Sequence, residues 1–324
     1  MTKKQKVLLA VFVVVAAANF YIILHHNPLA DPTQEVIKKI ISCCLFDAAY
    51  LGFAYAYDRV VQLPQELWQN RELIWRLAKN DFRSKYAGSY LGIAWAFVQP
   101  VVTVLVYWFV FTVGGRTDMT GETGYPFVLW LICGIVPWFF FSEAWGQGTS
   151  ALLSYEYLVK KVVFKISILP IIKVLSSFFI HVFLCLVTLV LLILNGYYPT
   201  LYWLQLPYFS LCTFLLVLGL SYITCSIVVF FRDLGQIIGI LLQVGVWVTP
   251  IMWHLEYLSK PWYLLFKLNP VYYVVDGFRM ALLDKMWFWE HFYSTAYFWI
   301  FTVFTFIFGA LVFKRLKVHF ADVL

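Results

Sequence analysis

The residues best suited to chemistry are cations rather than acids or thiols. Arg71, Arg76, Lys79, Arg83 and Lys85 fall within RELIWRLAKNDFRSKYAGSY, residues 71–90. Leu73, Ile74, Leu77, Phe82 and Tyr86 can share one broad face of a helix there, with the cations over the rest. Such a helix lies in a membrane interface with its charges near lipid phosphates. Two readings fit: simple surface anchoring, or contact with the pyrophosphate of a lipid-linked substrate. A second basic stretch, YEYLVKKVVFKISILP at residues 155–170, exposes Leu158, Val159 and Phe164 among Lys160, Lys161 and Lys165. A solvated loop has no use for these apolar residues. A docking helix for a soluble partner does, and another interfacial helix is the alternative.

Aromatic residues make up 20% of the chain. Phe97, Tyr107, Trp108 and Phe111, with Val104, follow helical spacing down one face of a span. Trp130 and Trp138, with Phe127 and Phe141, do so in the next. Flat ring faces suit the C–H faces of sugars without gripping ions, and they suit helix packing and lipid contact as well. No G-x-x-x-x-G-K-[ST] phosphate loop occurs, so ATP is not bound by that route. No H-E-x-x-H or paired-cysteine motif occurs either. The six cysteines fall inside apolar runs and read as small buried hydrophobes. Glu143 reads as a hydrated acid at the cytosolic end of its span, His181 as a packing residue, and Asp47 as an isolated acid in or near a span.

These groups must be positioned by membrane helices. Of 324 residues, 62% are hydrophobic and 13% charged, with mean hydropathy +0.80. Soluble domains are nearer half apolar and a quarter charged. Continuous apolar runs exclude a transmembrane barrel, whose strands alternate. The expected fold is all-α and polytopic. The net charge of +7 is a matter of membrane sidedness, not of nucleic-acid binding. Eight spans are predicted at residues 7–24, 40–57, 91–113, 126–145, 171–194, 204–231, 237–253 and 295–313. The first could instead be a signal peptide, because Lys3, Lys4 and Lys6 precede it and Ala16–Ala18 are small. With both termini inside, 17 Lys and Arg fall on the cytosolic side and seven outside, which favours that orientation. The segment between Trp253 and Thr295 is too apolar for a loop. Pro270, Asp276 and Arg279 make a straight span there costly, so two short helices dipping into the outer leaflet are expected. Pro100, Pro137 and Pro250 should kink their spans. Gly88-x-x-x-Gly92 and Gly235-x-x-x-Gly239 would permit close helix approach.

Five stretches in order resemble the membrane subunit of an ABC-2-type exporter of the polysaccharide and polyol-phosphate branch, which moves O-antigen, capsule and teichoic acid. They are LGIAWAFVQPVVTVLVYWFVF from Leu91, GIVPWFFFSEAW from Gly134, LVKKVVF with ILP from Leu158, NPVYYVVDGFRMALL from Asn269, and FADVL at the end. The resemblance implies a six-span ABC-2 core at 91–324, an amphipathic cytosolic helix at 62–90 and an extra hairpin at 1–61. It implies two copies of this chain with two copies of a separate ABC ATPase. That partner would hold ATP and Mg, and this chain would bind no cofactor or metal and catalyse nothing. Tyr155, Glu156, Tyr157, Leu158, Val159, Lys160, Lys161 and Phe164 would couple to the ATPase. An undecaprenyl-type lipid-linked glycan would be the cargo, the bacterial inner (cytoplasmic) membrane the location, and Asn269, Pro270, Asp276 and Arg279 an outer re-entrant gate. Members commonly carry Phe-Pro and then Arg in the coupling segment, whereas here Phe164 is followed by Lys165-Ile166-Ser167. Two alternatives remain: an ABC-2 exporter of small lipids or drugs, and a membrane enzyme acting on lipid-linked sugars.

Overall fold

A computed structural model describes residues 3–24, 32–113, 125–160, 165–255 and 258–324. Among them there is no strand. Helices α1 (Lys3–Leu24) and α2 (Pro32–Val60) pair with each other, and α2 also lies on the last long helix. Two short helices follow, α3 (Gln62–Gln69) and α4 (Arg71–Ser84). A 3-10 turn over Gly92–Ala94 leads into α5 (Trp95–Val113). Then come α6 (Phe127–Thr149), the short turns α7 (Ala151–Ser154) and α8 (Glu156–Val159), α9 (Leu169–Leu194), α10 (Leu206–Val228) and α11 (Leu234–Val248). The pair expected at the outer leaflet is α12 (Lys260–Lys267) and α13 (Pro270–Arg279), continued by a π-helical turn over Met280–Asp284. The chain closes with α14 (Phe292–Leu316) and α15 (Phe320–Val323).

Among the described residues six helices are long and apolar enough to cross a membrane: α1, α5, α6, α9, α10 and α14. The protein is therefore a multi-pass membrane protein. Of the other two expected spans, residues 40–57 lie within α2, a continuous helix that carries one charge in that stretch, Asp47. The α11 helix is apolar but has 15 residues, about 22 Å at 1.5 Å per residue, short of a ~30 Å hydrocarbon core.

The packing centre is α6 with α10, flanked by α9, α13 and α14. Most of α6 and α10 is buried, whereas few residues of α1 and α5 are. Small residues set the closest crossings. A Cβ on Gly309 of α14 would lie 2.7 Å from the Gly219 carbonyl of α10, and one on Gly148 of α6 would strike Ser221 of α10. The four glycines expected to perform this role do not. Gly88 and Gly92 sit in turns at φ 88° and 54°, and Gly235 and Gly239 meet nothing within 4 Å. Pro100 and Pro137 lie inside α5 and α6 as expected. Pro250 differs, because α11 ends at Val248 and Thr249 is already extended, at ψ 126°. The residue before a proline is driven out of the helical region, so Pro250 terminates its helix rather than kinking it.

Candidate functional site

The site expected on the cytosolic side is built on α3 and α4. Within α4 the buried positions Ile74, Ala78 and Asp81 recur at helical spacing, so this stripe rests on α9. Its upper part is apolar: Trp75 and Phe82 each meet Phe179 of α9, at 5.3 and 5.7 Å. Its lower part is an acid. Asp81 is 8% exposed and accepts from Lys173 Nζ of α9 at 2.7 Å and from Tyr155 Oη at 2.5 Å, both through Oδ1. The Lys173 ammonium also lies 4.9 Å from the Tyr155 ring centroid. Burial, and then the neighbouring Asp81 carboxylate, push the Tyr155 hydroxyl above its ordinary range, so it remains a donor at physiological pH.

A second acid holds the far end of the same segment. Glu66 of α3 accepts from Ser167 Oγ at 2.5 Å, and the Ser167 carbonyl accepts from Tyr222 Oη of α10 at 2.7 Å. The stretch from Tyr155 to Ser167 is thus tied at both ends to the α3–α4 collar. Between these ties Glu156 pairs with Lys160 at 2.6 Å. The Lys160 hydrogen bond and charge hold the exposed Glu156 carboxyl below its ordinary range. Tyr157 is exposed, Leu158 half-buried and Val159 buried. Lys161 and Phe164 lie outside the described residues.

Four of the five candidate phosphate-binding cations stay on the surface. Arg71 lies over the Trp68 ring at 5.5 Å. Arg76, Lys79 and Arg83 are exposed along one stripe, with no ion pair among the described residues. Lys85 differs, because it pairs with Glu143 of α6. Burial lowers its proton affinity, but the charge and hydrogen bond of Glu143 outweigh that and raise it overall. Glu143, expected to be merely hydrated, is therefore the partner that fixes the end of α4 to α6.

The candidate channel aromatics separate by burial. Trp108 is 49% exposed. Phe97 packs between Phe82 and Phe183, at 6.4 and 4.2 Å, and Tyr107 packs partly buried against the core. The Phe111 side chain lies outside the described residues. Trp138 is buried against Phe141 and Gly245. Trp130 is buried between His254, at 4.1 Å, and the Arg279 guanidinium, 3.3 Å from its ring centroid. In the single chain Trp130 and Trp138 are packing residues.

The outer candidates converge on the end of α11. Arg279, 3% exposed, donates to the carbonyls of Trp130 (3.3 Å), Pro250 (2.9 Å) and Ile251 (2.8 Å). Those carbonyls give each of its three nitrogens an acceptor. Gly134 makes room for it, since a Cβ there would sit 2.5 Å from Arg279 Nη2. Asn269 caps α13 by accepting from the Val271 amide at 3.0 Å and donates to Thr249 Oγ1 at 2.9 Å. Pro270 opens α13, where its missing N–H costs nothing. Asp276 is half-buried and accepts from Tyr272. Asn269 and Arg279 thus clamp the turn 249–251 from both ends of one helix.

A family model described as ABC-2 type transporter matches residues 72–283. The chain belongs to that family. The O-antigen export system permease protein RfbA of Myxococcus xanthus is 31% identical over 227 residues, covering 69% of this chain and 85% of the relative. A Klebsiella pneumoniae protein of the same description is 25% identical over 259 residues, covering 78% and 95%. A second from that organism is 25% identical over 256 residues.

The functional reading of this ABC-2 chain misses Asp81, Glu66, Lys173 and Ser167. A signal for Asp81 is present in the sequence: it falls at i+7 from Ile74 and i+3 from Ala78, on the stripe that α4 buries. An acid there demands a cation from another element. Nothing local says that the cation is Lys173, 92 residues away.

Proposed function

We propose that this ABC-2 permease is the membrane subunit of an ATP-driven exporter of a lipid-linked cell-surface polysaccharide. The observation that carries this reading is its similarity to O-antigen export permeases over most of both chains. Two copies of the chain would pair with two ABC ATPase subunits in a bacterial inner membrane, both termini cytosolic, with ATP and Mg on the ATPase. The geometry supports a route for the stroke. Closing ATPases would press on the segment from Tyr155 to Lys160. Tyr155 and Ser167 would pass that displacement to Asp81 and Glu66, and so to the α3–α4 collar that leads into α5. The Arg76–Lys79–Arg83 stripe would meet the pyrophosphate of an undecaprenyl-type lipid in the cytosolic leaflet. Trp108, exposed on α5, is the candidate aromatic free to face the glycan.

The test is ATP-dependent uptake of lipid-linked glycan into inverted vesicles holding this chain and its ATPase. An ATPase variant that binds but does not hydrolyse ATP is the control. Accumulation only with the active ATPase is the expected result. Absence of both ATPase binding and glycan movement refutes the reading.

A further inference from the structure

On the outer rim the structure holds a group of aromatic rings that the transport pathway above does not use. The 3-10 turns Leu201–Gln205 and Phe288–His291 lie side by side there. Trp287 and Trp289 stack in parallel, with centroids 4.4 Å apart and planes at 10°. Tyr202 lies against Trp287 at 4.9 Å, its plane tilted by 42°. Trp289 meets Phe288 edge-to-face at 4.9 Å and is 51% exposed.

The loop that carries these rings is held from beneath. Gln205, 3% exposed, donates from Nε2 to the Met286 carbonyl and accepts at Oε1 from the Phe288 amide, both at 2.8 Å. Phe288 stacks on Tyr208 at 4.2 Å. Glu290 accepts from the Trp287 amide at 3.0 Å. One buried amide thus fixes both backbone groups flanking Trp287, and the column is preorganised. Its immediate neighbours Asp284, Lys285 and Glu290 are exposed. Three charges beside the rings place the column in water or headgroups, not hydrocarbon. Aromatic rings anchored only in lipid need neither a rigid loop nor adjacent carboxylates. A sugar ring uses both: its C–H face stacks on an electron-rich aromatic face, and its hydroxyls donate to carboxylate oxygens.

We propose that the Tyr202–Trp287–Trp289 column is an outer binding platform on which a pyranose of the emerging glycan stacks, against the open face of Trp289, with Glu290 accepting from its hydroxyls. This rests on the polysaccharide-export reading. The platform would capture the polymer after it leaves the membrane and disfavour its return.

The test uses the whole chain with its ATPase in lipid nanodiscs and, as probes, fluorescein-labelled linear glucan, mannan, galactan and rhamnan fragments, read by fluorescence polarisation. At least one probe should bind saturably. Trp289→Ala should weaken it about tenfold, Trp289→Phe should retain most of it, and Glu290→Gln should weaken it. Trp262→Ala, which removes another exposed outer tryptophan, should leave it unchanged. Matched size-exclusion profiles establish that each variant is folded. The platform is overturned if no probe binds the unaltered protein, or if Trp262→Ala and Trp289→Ala act alike. Trp289 would then be one ring of a membrane-interface belt. ATP-driven uptake in vesicles separates the two readings: export without probe binding sinks the platform alone, and probe binding without export sinks the exporter alone.

Discussion

Replacing Asp81 with Asn tests the clasp that ties α4 to both α9 and the segment that begins at Tyr155. The amide keeps an acceptor oxygen for Tyr155 and Lys173 but removes the charge that Lys173 faces. The side chains of this pair are 13% and 9% exposed at 2.7 Å. Breaking such a pair from one side costs about 3–5 kcal/mol, because the remaining charge is stranded. Since the acceptor survives, we expect about 3 kcal/mol, or roughly a 100-fold rise in the population with α4 undocked. Amide hydrogen exchange in nanodiscs reads this directly. Amides of α4 should exchange about 100-fold faster, up to the limit set by global opening, while those of α10 should not change. ATP hydrolysis should continue and glycan uptake should fall, since the collar would no longer follow the segment. Adding Lys173→Met should recover most of the protection, because a stranded charge costs more than an absent pair. Unchanged exchange in α4, or a double variant no better than Asp81→Asn, would refute the clasp.

Four further outcomes are expected. Lys160→Glu with Lys161→Glu should leave ATP hydrolysis running while export stops, and normal export by that variant removes the docking role. Neutralising the free stripe as Arg76→Gln, Lys79→Gln and Arg83→Gln should raise the lipid-linked glycan concentration needed for half-maximal uptake by about 100-fold, at about 1 kcal/mol per cation near anionic groups; Lys85 is omitted because Glu143 already holds it. Arg279→Lys should lower the melting temperature by several degrees and loosen exchange around residues 249–253, since one ammonium cannot reproduce a planar donor fork over three carbonyls. Gly309→Ala should cost about 1–3 kcal/mol in thermal denaturation, because its new methyl meets the Gly219 backbone, which has no flexible side chain to move aside.

What the sequence makes legible here follows the physics that writes each feature. Long apolar runs are governed by bilayer thickness, a local constraint, so α1, α5, α6, α9, α10 and α14 are readable as runs. The short outer helices α12 and α13 are readable for the same reason: Pro270, Asp276 and Arg279 forbid a straight lipid-facing span. Long-range pairing is not written locally. Arg279 reads as a gate residue beside Asp276, yet its donors go to the carbonyls of Trp130, Pro250 and Ile251, and no residue type announces a free carbonyl. Lys85 reads as one more phosphate ligand, yet Glu143, 58 residues away, captures it. The spacing G-x-x-x-G misleads for a related reason. Close approach needs a small residue at a crossing, and crossings are set by which helices meet, so lone glycines such as Gly219 and Gly309 matter, while Gly88 and Gly92 sit in turns and Gly235 and Gly239 on α11 meet nothing. The same asymmetry explains why the two acids that hold the coupling segment escape notice while its cations do not. Cations on a surface stand out as a pattern, whereas Asp81 and Glu66 acquire meaning only when Tyr155 and Ser167 are folded onto them. On the proposed route a stroke would reach the membrane through groups whose partners lie 74 and 101 residues away, and it is at those contacts that coupling should be most sensitive to single substitutions.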